Sequence, residues 1–437
     1  MSVAAAVTPP HPYIAALLAG CEPKQGKLAW LNERRAQALE RANALSVPTT
    51  RDEEWRFTDI APLIRVPFRR AAGPARPAQI AAPQAPEAAT RLVFVDGAYS
   101  EELSVTVGLP YGVVASHLAA ALATHGAVIE PHLARHAGFE DDVFAAINTS
   151  HLRDGAFVWI AAGQKCPTPV ELLFVSTQAG TVSYPRCLVV AERGAECTLI
   201  ERHVGLADTV YFTNAVVEIV AGEGARLQHI KLQNEAGGAF HVASCAVALA
   251  RDAGYVSHAV TLGGRISRQN LHVLQGGEGI EVGLAGLTLV GGRQLADTHT
   301  VMDHARPNGR CRQLNKCIVA GAAHAVFNGK IVVRPGAQLT NSAQESRNLL
   351  LSGKARVDTK PQLEIFADDV RCTHGATVGQ LDPEQLFYLR SRGLAEGDAR
   401  NLLTYAFGAE VIDRIPVPSL VEQLENVVMM QTQAGAA

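Results

Sequence analysis

The sequence predicts a mainly β protein, with a parallel β-helix core flanked by N-terminal and C-terminal α-helical regions. Between about residues 156 and 380, short Val/Ile/Leu runs are broken repeatedly by small corners, as in CLVVAERGAECTLI, VVEIVAGEGARLQHI and KIVVRPGAQLTN. The corners at Gly194, Gly224, Gly254 and Gly279 recur at intervals of roughly 25–30 residues, inside the range of solenoid repeats. Aromatic residues make up only 5% of the chain against 38 glycines, which suits thin stacked rungs better than a bulky aromatic core. One rung cannot bury its own inner face, so stacking creates the core. Small corner residues let successive turns superimpose closely. A β-sandwich or jelly roll also shows short strands and glycine turns; the regular corner spacing favours the β-helix.

The other elements follow in chain order. Residues 1–90 read as an N-terminal helical region, in which KLAWLNERRAQALERANAL carries Leu28, Trp30, Leu31, Leu39 and Leu45 among charges. RDEEWRFTDI then sets four charges before Trp55, and RRAAGPARPAQIAAPQAPEAA, from about Phe68 to Ala89, reads as a linker. Residues 91–155 form a mixed connecting region with helices expected near His117–His125 and Asp141–Ile147. The β-helix core takes residues 156–380, and a helical C-terminal domain takes 381–437. There Asp382 suits an N-cap, Pro383 the first helical position and Gly393 the stop, and EGDARNLLTYAF and PSLVEQLENVVMM supply two further amphipathic helices.

At 437 residues and 48% hydrophobic content, the chain can bury a substantial core. Lys and Arg number 39 against 42 Asp and Glu, so no domain-scale basic excess points to nucleic acid. The N-terminus lacks a positive n-region and no apolar run is long enough to span a membrane, which makes the cytoplasm the expected compartment. The eight cysteines form no CxxC pair and are too sparse for a disulfide scaffold. Most are expected to be buried small hydrophobes. No GxxxxGK[ST] occurs, so the chain is expected to have no ATP site of its own; HExxH and GxSxG are also absent. DTHTVMDHARPNGRC gathers Asp297, His299, Asp303 and His304, which a polar loop or satisfied strand ends would explain. A carbohydrate-active enzyme on a β-helix would want clustered acids along one groove, whereas here the acids are scattered singly.

The most informative stretch is PQLEIFADDVRCTHGATVGQLDPEQLFYLRSRG, from Pro361 to Gly393. On an extended strand, side chains two apart share a face, so Cys372 and His374 project together with Thr373 turned away. Thiolate and imidazole are ligands suited to iron, zinc or an iron–sulfur cluster. Two ligands cannot close a metal site, so the rest must come from elsewhere or from another chain. The competing reading packs Cys372 in the core and satisfies His374 with a neighbouring carbonyl. Asp368 and Asp369 just before the pair, and its position at the end of the repeats, favour a site.

EIFADDVRCTHGATVGQLDPEQLFYLRSRGL and RDEEWRFTDI, together with HARPNGRCRQLNKCIVAGAAHAVFNGKIVVRPGAQLTNSAQESRNLLLS, resemble the SufB/SufD family of iron–sulfur cluster assembly scaffold proteins, and its SufD branch most. The resemblance covers nearly the whole chain. It implies a right-handed parallel β-helix and a non-catalytic scaffold subunit of a SufBCD-type complex of the SUF system. It implies a SufB-like paralogue paired through the β-helix and a SufC-like ATPase bound through the C-terminal helices. The family's C-x-H run falls on Cys372 and His374, implying iron or an iron–sulfur cluster held transiently and shared with the partner chain. Leu386, Leu389, Leu402, Leu403 and Phe407 are the expected apolar stripe toward the ATPase. Unpaired β-helix edges would also let the isolated chain form a homodimer. The alternative function is a stand-alone β-helical carbohydrate-active enzyme.

Overall fold

A computed structural model of the protein describes residues 11–434 apart from 25, 72 and 74–84 and 207. Most of the expected Ala/Pro linker therefore lies outside the described residues. From Ala156 to Gly379 the strands alternate between two parallel sheets, so that two strands make one turn of a parallel β-solenoid of about eight turns. One sheet stacks Phe212–Ala221, Phe240–Leu249, Ile266–Gln275, Leu295–His304, His324–Val333 and Arg356–Ile365 in register; the other ends on Arg310–Val319, Asn341–Leu350 and Arg371–Gly379. Registers such as Phe212↔Phe240 and Phe240↔Ile266 fix a repeat close to the spacing expected from the corners.

The corners are held by residues in the left-handed region whose amides bond to the next turn. Gly194 N–H donates to the Glu223 carbonyl (2.8 Å) and Gly224 N–H to that of Arg251 (2.9 Å). The third expected corner is shifted: Gly254 opens a strand, and Asp252, at φ 56°, makes the turn and donates to the Glu278 carbonyl (2.8 Å). Asp tolerates this conformation through local hydrogen bonding, so the glycine pattern alone misplaces the bend by two residues.

Both outer faces of the middle rungs are covered, which makes the strands there nearly continuous runs of buried residues. On one sheet, Phe212, Val216, Phe240 and Ile266 pack against the N-terminal region, including the helix Val143–Ser150, whose eight residues are all buried. Asp142 caps that helix, its Oδ1 accepting from the amides of Phe144 and Ala145. The helix Ala29–Ala44 is present as expected, but its buried stripe is Leu31, Arg35, Ala38 and Ala42: small residues allow close approach, and Arg35 donates to the Leu152 carbonyl at 2.6 Å. On the other sheet, Ile230, Leu232, Leu287 and Ile318 receive Val411, Ile412, Leu420, Leu424 and Val428 from the helices Glu396–Ile412 and Pro418–Ala434. Each such buried aliphatic side chain contributes about 1.5–3 kcal/mol.

One buried carboxylate ties the N-terminal layer to the solenoid, and another braces the solenoid interior. The Glu218 carboxylate meets Arg186 at 2.6 Å, both fully buried, and accepts the backbone amides of Ala134, Arg135, His136 and Ala137 at 2.7–3.1 Å. Burial pushes this carboxyl up, but Arg186 and the amides outweigh it and hold it below the usual carboxylate range. Inside the solenoid, Glu201 accepts from His203 (2.7 Å) and His229 (3.0 Å) and pairs with Lys231 (2.9 Å). Among the described residues, no helix is long and apolar enough to cross a membrane.

Candidate functional site

The covering helices stop short of the last rungs. Asn341–Leu350 still alternates buried and half-buried residues, whereas Arg371–Gly379 is exposed almost throughout because no rung follows it. Its register on the rung below is Ser342↔Cys372 and Gln344↔His374. Below these, Cys311 pairs with Ser342 and Gln313 with Gln344. Cys372 and His374 therefore crown two neighbouring columns that face the solenoid interior, as the strand alternation predicts.

Depth along these columns changes their chemistry. Cys311, Ser342 and Gln344 are buried, Cys372 is half-buried, and His374 is exposed. The interior beneath is polar and partly hydrogen-bonded within itself, with Gln344 Oε1 buried without a partner among the described residues. Gln344 Nε2 donates to Gln313 Oε1 (2.9 Å), and Gln313 Nε2 donates to Thr300 Oγ1 (2.7 Å). His304 Nδ1 lies 2.7 Å from Gln275 Oε1, and burial lowers the His304 pKa to about 4. Burial raises the Cys372 thiol, partly opposed by the Ser342 backbone, so its protonated form is favoured until something displaces the proton. The His374 imidazole makes no hydrogen bond to the described residues, leaving its ring nitrogens available.

This arrangement supplies one thiol and one imidazole at an open end, and among the described residues no group of three or more His, Cys, Asp or Glu is placed to hold a metal ion. Asp368 and Asp369 sit in the exposed turn before the strand, where the Asp369 carbonyl accepts from the Leu339 amide and its own amide donates to Gln338 Oε1 rather than joining the pair.

The residues expected to form one apolar stripe divide. Asp382 Oδ1 caps the helix Pro383–Ser391 through the Glu384 amide (2.8 Å), and Gly393 ends it at φ 95°. That helix buries none of its residues; Leu386 and Leu389 are half-buried. Leu402 is exposed and Leu403 half-buried. Phe407 instead faces the solenoid, with the Lys316 ammonium 4.5 Å over its ring and donating to its carbonyl at 2.9 Å. Two residues outside the expected set are more open: Phe387 at 73% and Tyr388 at 55%. The signal was four consecutive large apolar residues, 386–389, in a nine-residue helix, which cannot all face one side.

The second sequence signature, RDEEWRFTDI, anchors the N-terminal region to the solenoid. Arg268 stacks 3.8 Å over Trp55, donates to the Glu54 carbonyl (2.7 Å) and pairs with Asp297 (2.5 Å). His299 bridges Glu54 (3.2 Å) and Asp297 (3.0 Å). The expected polar cluster is thus a strand, Leu295–His304, with each member engaged: Asp303 pairs with Arg334 at 2.6 Å. Sequence alone missed these partners because they lie far away along the chain.

Comparison with known proteins accounts for both signatures. The model of the SUF system FeS cluster assembly SufBD core domain matches residues 174–407, more than half of the chain, and that of the SufBD protein N-terminal region matches residues 22–172. The chain belongs to the SufBD family of iron–sulfur cluster assembly proteins. This SufBD chain is 40% identical over 418 residues to a SufBD family protein of Synechocystis sp., covering 92% of this chain and 91% of that protein. It is 35% identical to the iron–sulfur cluster assembly protein SufD of Escherichia coli, covering 92% and 93%. The protein ABCI7, chloroplastic, of Arabidopsis thaliana is 33% identical, covering 87% and 81%.

Proposed function

We propose that this SufBD chain is a non-catalytic scaffold subunit that holds half of an iron–sulfur assembly site, with a SufB-like paralogue supplying the other half. The observation that carries this reading is the pairing of Cys372 and His374 on an uncovered terminal rung, with two suitable donors and, among the described residues, no third beside them. The cluster is cargo, bound only while it is built. The strand Arg371–Gly379 offers an exposed edge, and Ile365, Phe366 and Val378 present apolar surface at the same end. Such an edge takes a partner strand through main-chain hydrogen bonds. A SufC-like ATPase, supplying the phosphate chemistry for which this sequence has no loop, would dock on Phe387, Tyr388 and Leu402. The carbohydrate-active alternative loses support because Asp297 and Asp303 are committed to Arg268 and Arg334.

The test is His374→Ala in the purified complex. The variant should melt and assemble like the wild type, because the imidazole is exposed and makes no hydrogen bond, yet it should lose most cluster assembly. Wild-type assembly with the complex intact removes His374 from the mechanism.

A further inference from the structure

At the opposite end of the solenoid, two other cysteines share one place. Lys165 bridges in parallel to Glu196, and the Cys166 amide donates to the Glu196 carbonyl at 2.8 Å. This register sets Cys166, one residue past the isolated bridge, beside Cys197 on the neighbouring strand. Neighbouring strands lie about 4.8 Å apart, within the Cα separation of roughly 4.4–6.8 Å that a disulfide requires. Other cysteine pairs in the stack miss it. Val217 separates Cys187 from Cys245, and Ser342 separates Cys311 from Cys372, so each pair spans about two strand spacings.

The pair also has access. Cys197 is buried and Cys166 half-buried, and both line a surface cavity of about 280 Å³ with Glu196, Thr198, Arg226 and Gln228. Gln228 Oε1 is buried without a hydrogen-bond partner among the described residues, leaving an acceptor in the cavity wall. The neighbouring Cys197 thiol lowers the pKa of Cys166, whereas burial raises those of Cys187, Cys245, Cys311 and Cys317.

We propose that Cys166 and Cys197 form a reversible dithiol–disulfide site oxidised by a small-molecule disulfide entering this cavity. The Cys166 thiolate attacks one sulfur of the disulfide, whose S–S bond breaks and whose other half leaves as a thiol. Cys197 gives its proton to solvent and attacks the Cys166 sulfur, expelling the second half as another thiol. The two cysteines lose two electrons and two protons, and the small disulfide is reduced to two thiols. The bond ties the turn at residues 164–166 to the strand Glu196–Gly205 and so locks the first complete rung. It is independent of the Cys372 site.

The experiment uses the full chain, air-free, in oxidised and reduced glutathione at graded ratios, read by thiol counting and peptide mapping. The wild type should lose two of its eight thiols through a Cys166–Cys197 bond, and reduced glutathione should restore them. Cys197→Ser should hold one glutathione on Cys166, and Cys166→Ser should leave Cys197 reduced, with both variants melting as the wild type does. Cys166 remaining free at every ratio, or oxidation falling first on Cys21 or Cys372, overturns the proposal.

Discussion

Cys372 and Leu339 show how single residues near the terminal rungs carry consequences. The Cys372 thiol is held in its protonated form by burial, and a metal ligand must be a thiolate. Iron uptake at the proposed pair would therefore release a proton, and apparent affinity should fall about tenfold for each pH unit below neutrality. Iron titrations of the complex at two pH values check this; affinity independent of pH would mean that Cys372 is not a ligand. Leu339 sits at φ 61°, with its side chain exposed, at a corner where other turns use Gly194, Gly224 or Asn308. A branched residue in the left-handed region costs about 1–2 kcal/mol. Leu339→Gly should therefore stabilise the chain by about 1 kcal/mol in thermal or denaturant unfolding, unless the partner interface uses this leucine. Neither effect was legible in the sequence: the first depends on depth in the stack, and the second on which residue occupies the corner.

Elements are joined by charges that no local pattern reveals. Glu218 serves Arg186 and four amides of the segment Ala134–Ala137 at once. Glu218→Ala would leave Arg186 buried and uncompensated and free those amides, at a cost of about 3–5 kcal/mol. Denaturant unfolding should show the loss, and a change below about 1 kcal/mol would mean that water replaces the carboxylate. Periodicity and caps did show the helices Ala29–Ala44 and Pro383–Ser391, because those signals are local. The stacked strands were visible through their glycine corners, although Asp252, Asn308 and Leu339 hold corners of the same column without glycine. The Asp297–His299–Glu54 anchor stayed hidden because its members are some 240 residues apart in sequence and meet only after folding.

For the whole molecule, the two helical layers cover the middle of the solenoid and leave its last rung and the helix Pro383–Ser391 open. Removing everything after Leu381 would strip the layer that covers Ile230, Leu287 and Ile318, so loss of ATPase binding in such a truncation would be ambiguous. Phe387→Ser with Tyr388→Ser changes only exposed positions. It should weaken ATPase capture at least about tenfold while leaving the melting point and paralogue binding unchanged; undiminished capture moves the docking surface elsewhere. That Cys372 and His374 share a face was legible because a two-residue repeat sets which side chains point together, and the interior columns obey it. That the pair lies open to solvent is a property of the assembled stack, which ends at its strand. The most direct test of a shared site is anaerobic reconstitution with iron and sulfide, read by visible absorption. The account predicts a cluster in the complex, little in the isolated chain, and loss from a complex carrying Cys372→Ala and His374→Ala. Equal absorption from the wild-type and doubly substituted complexes would contradict it.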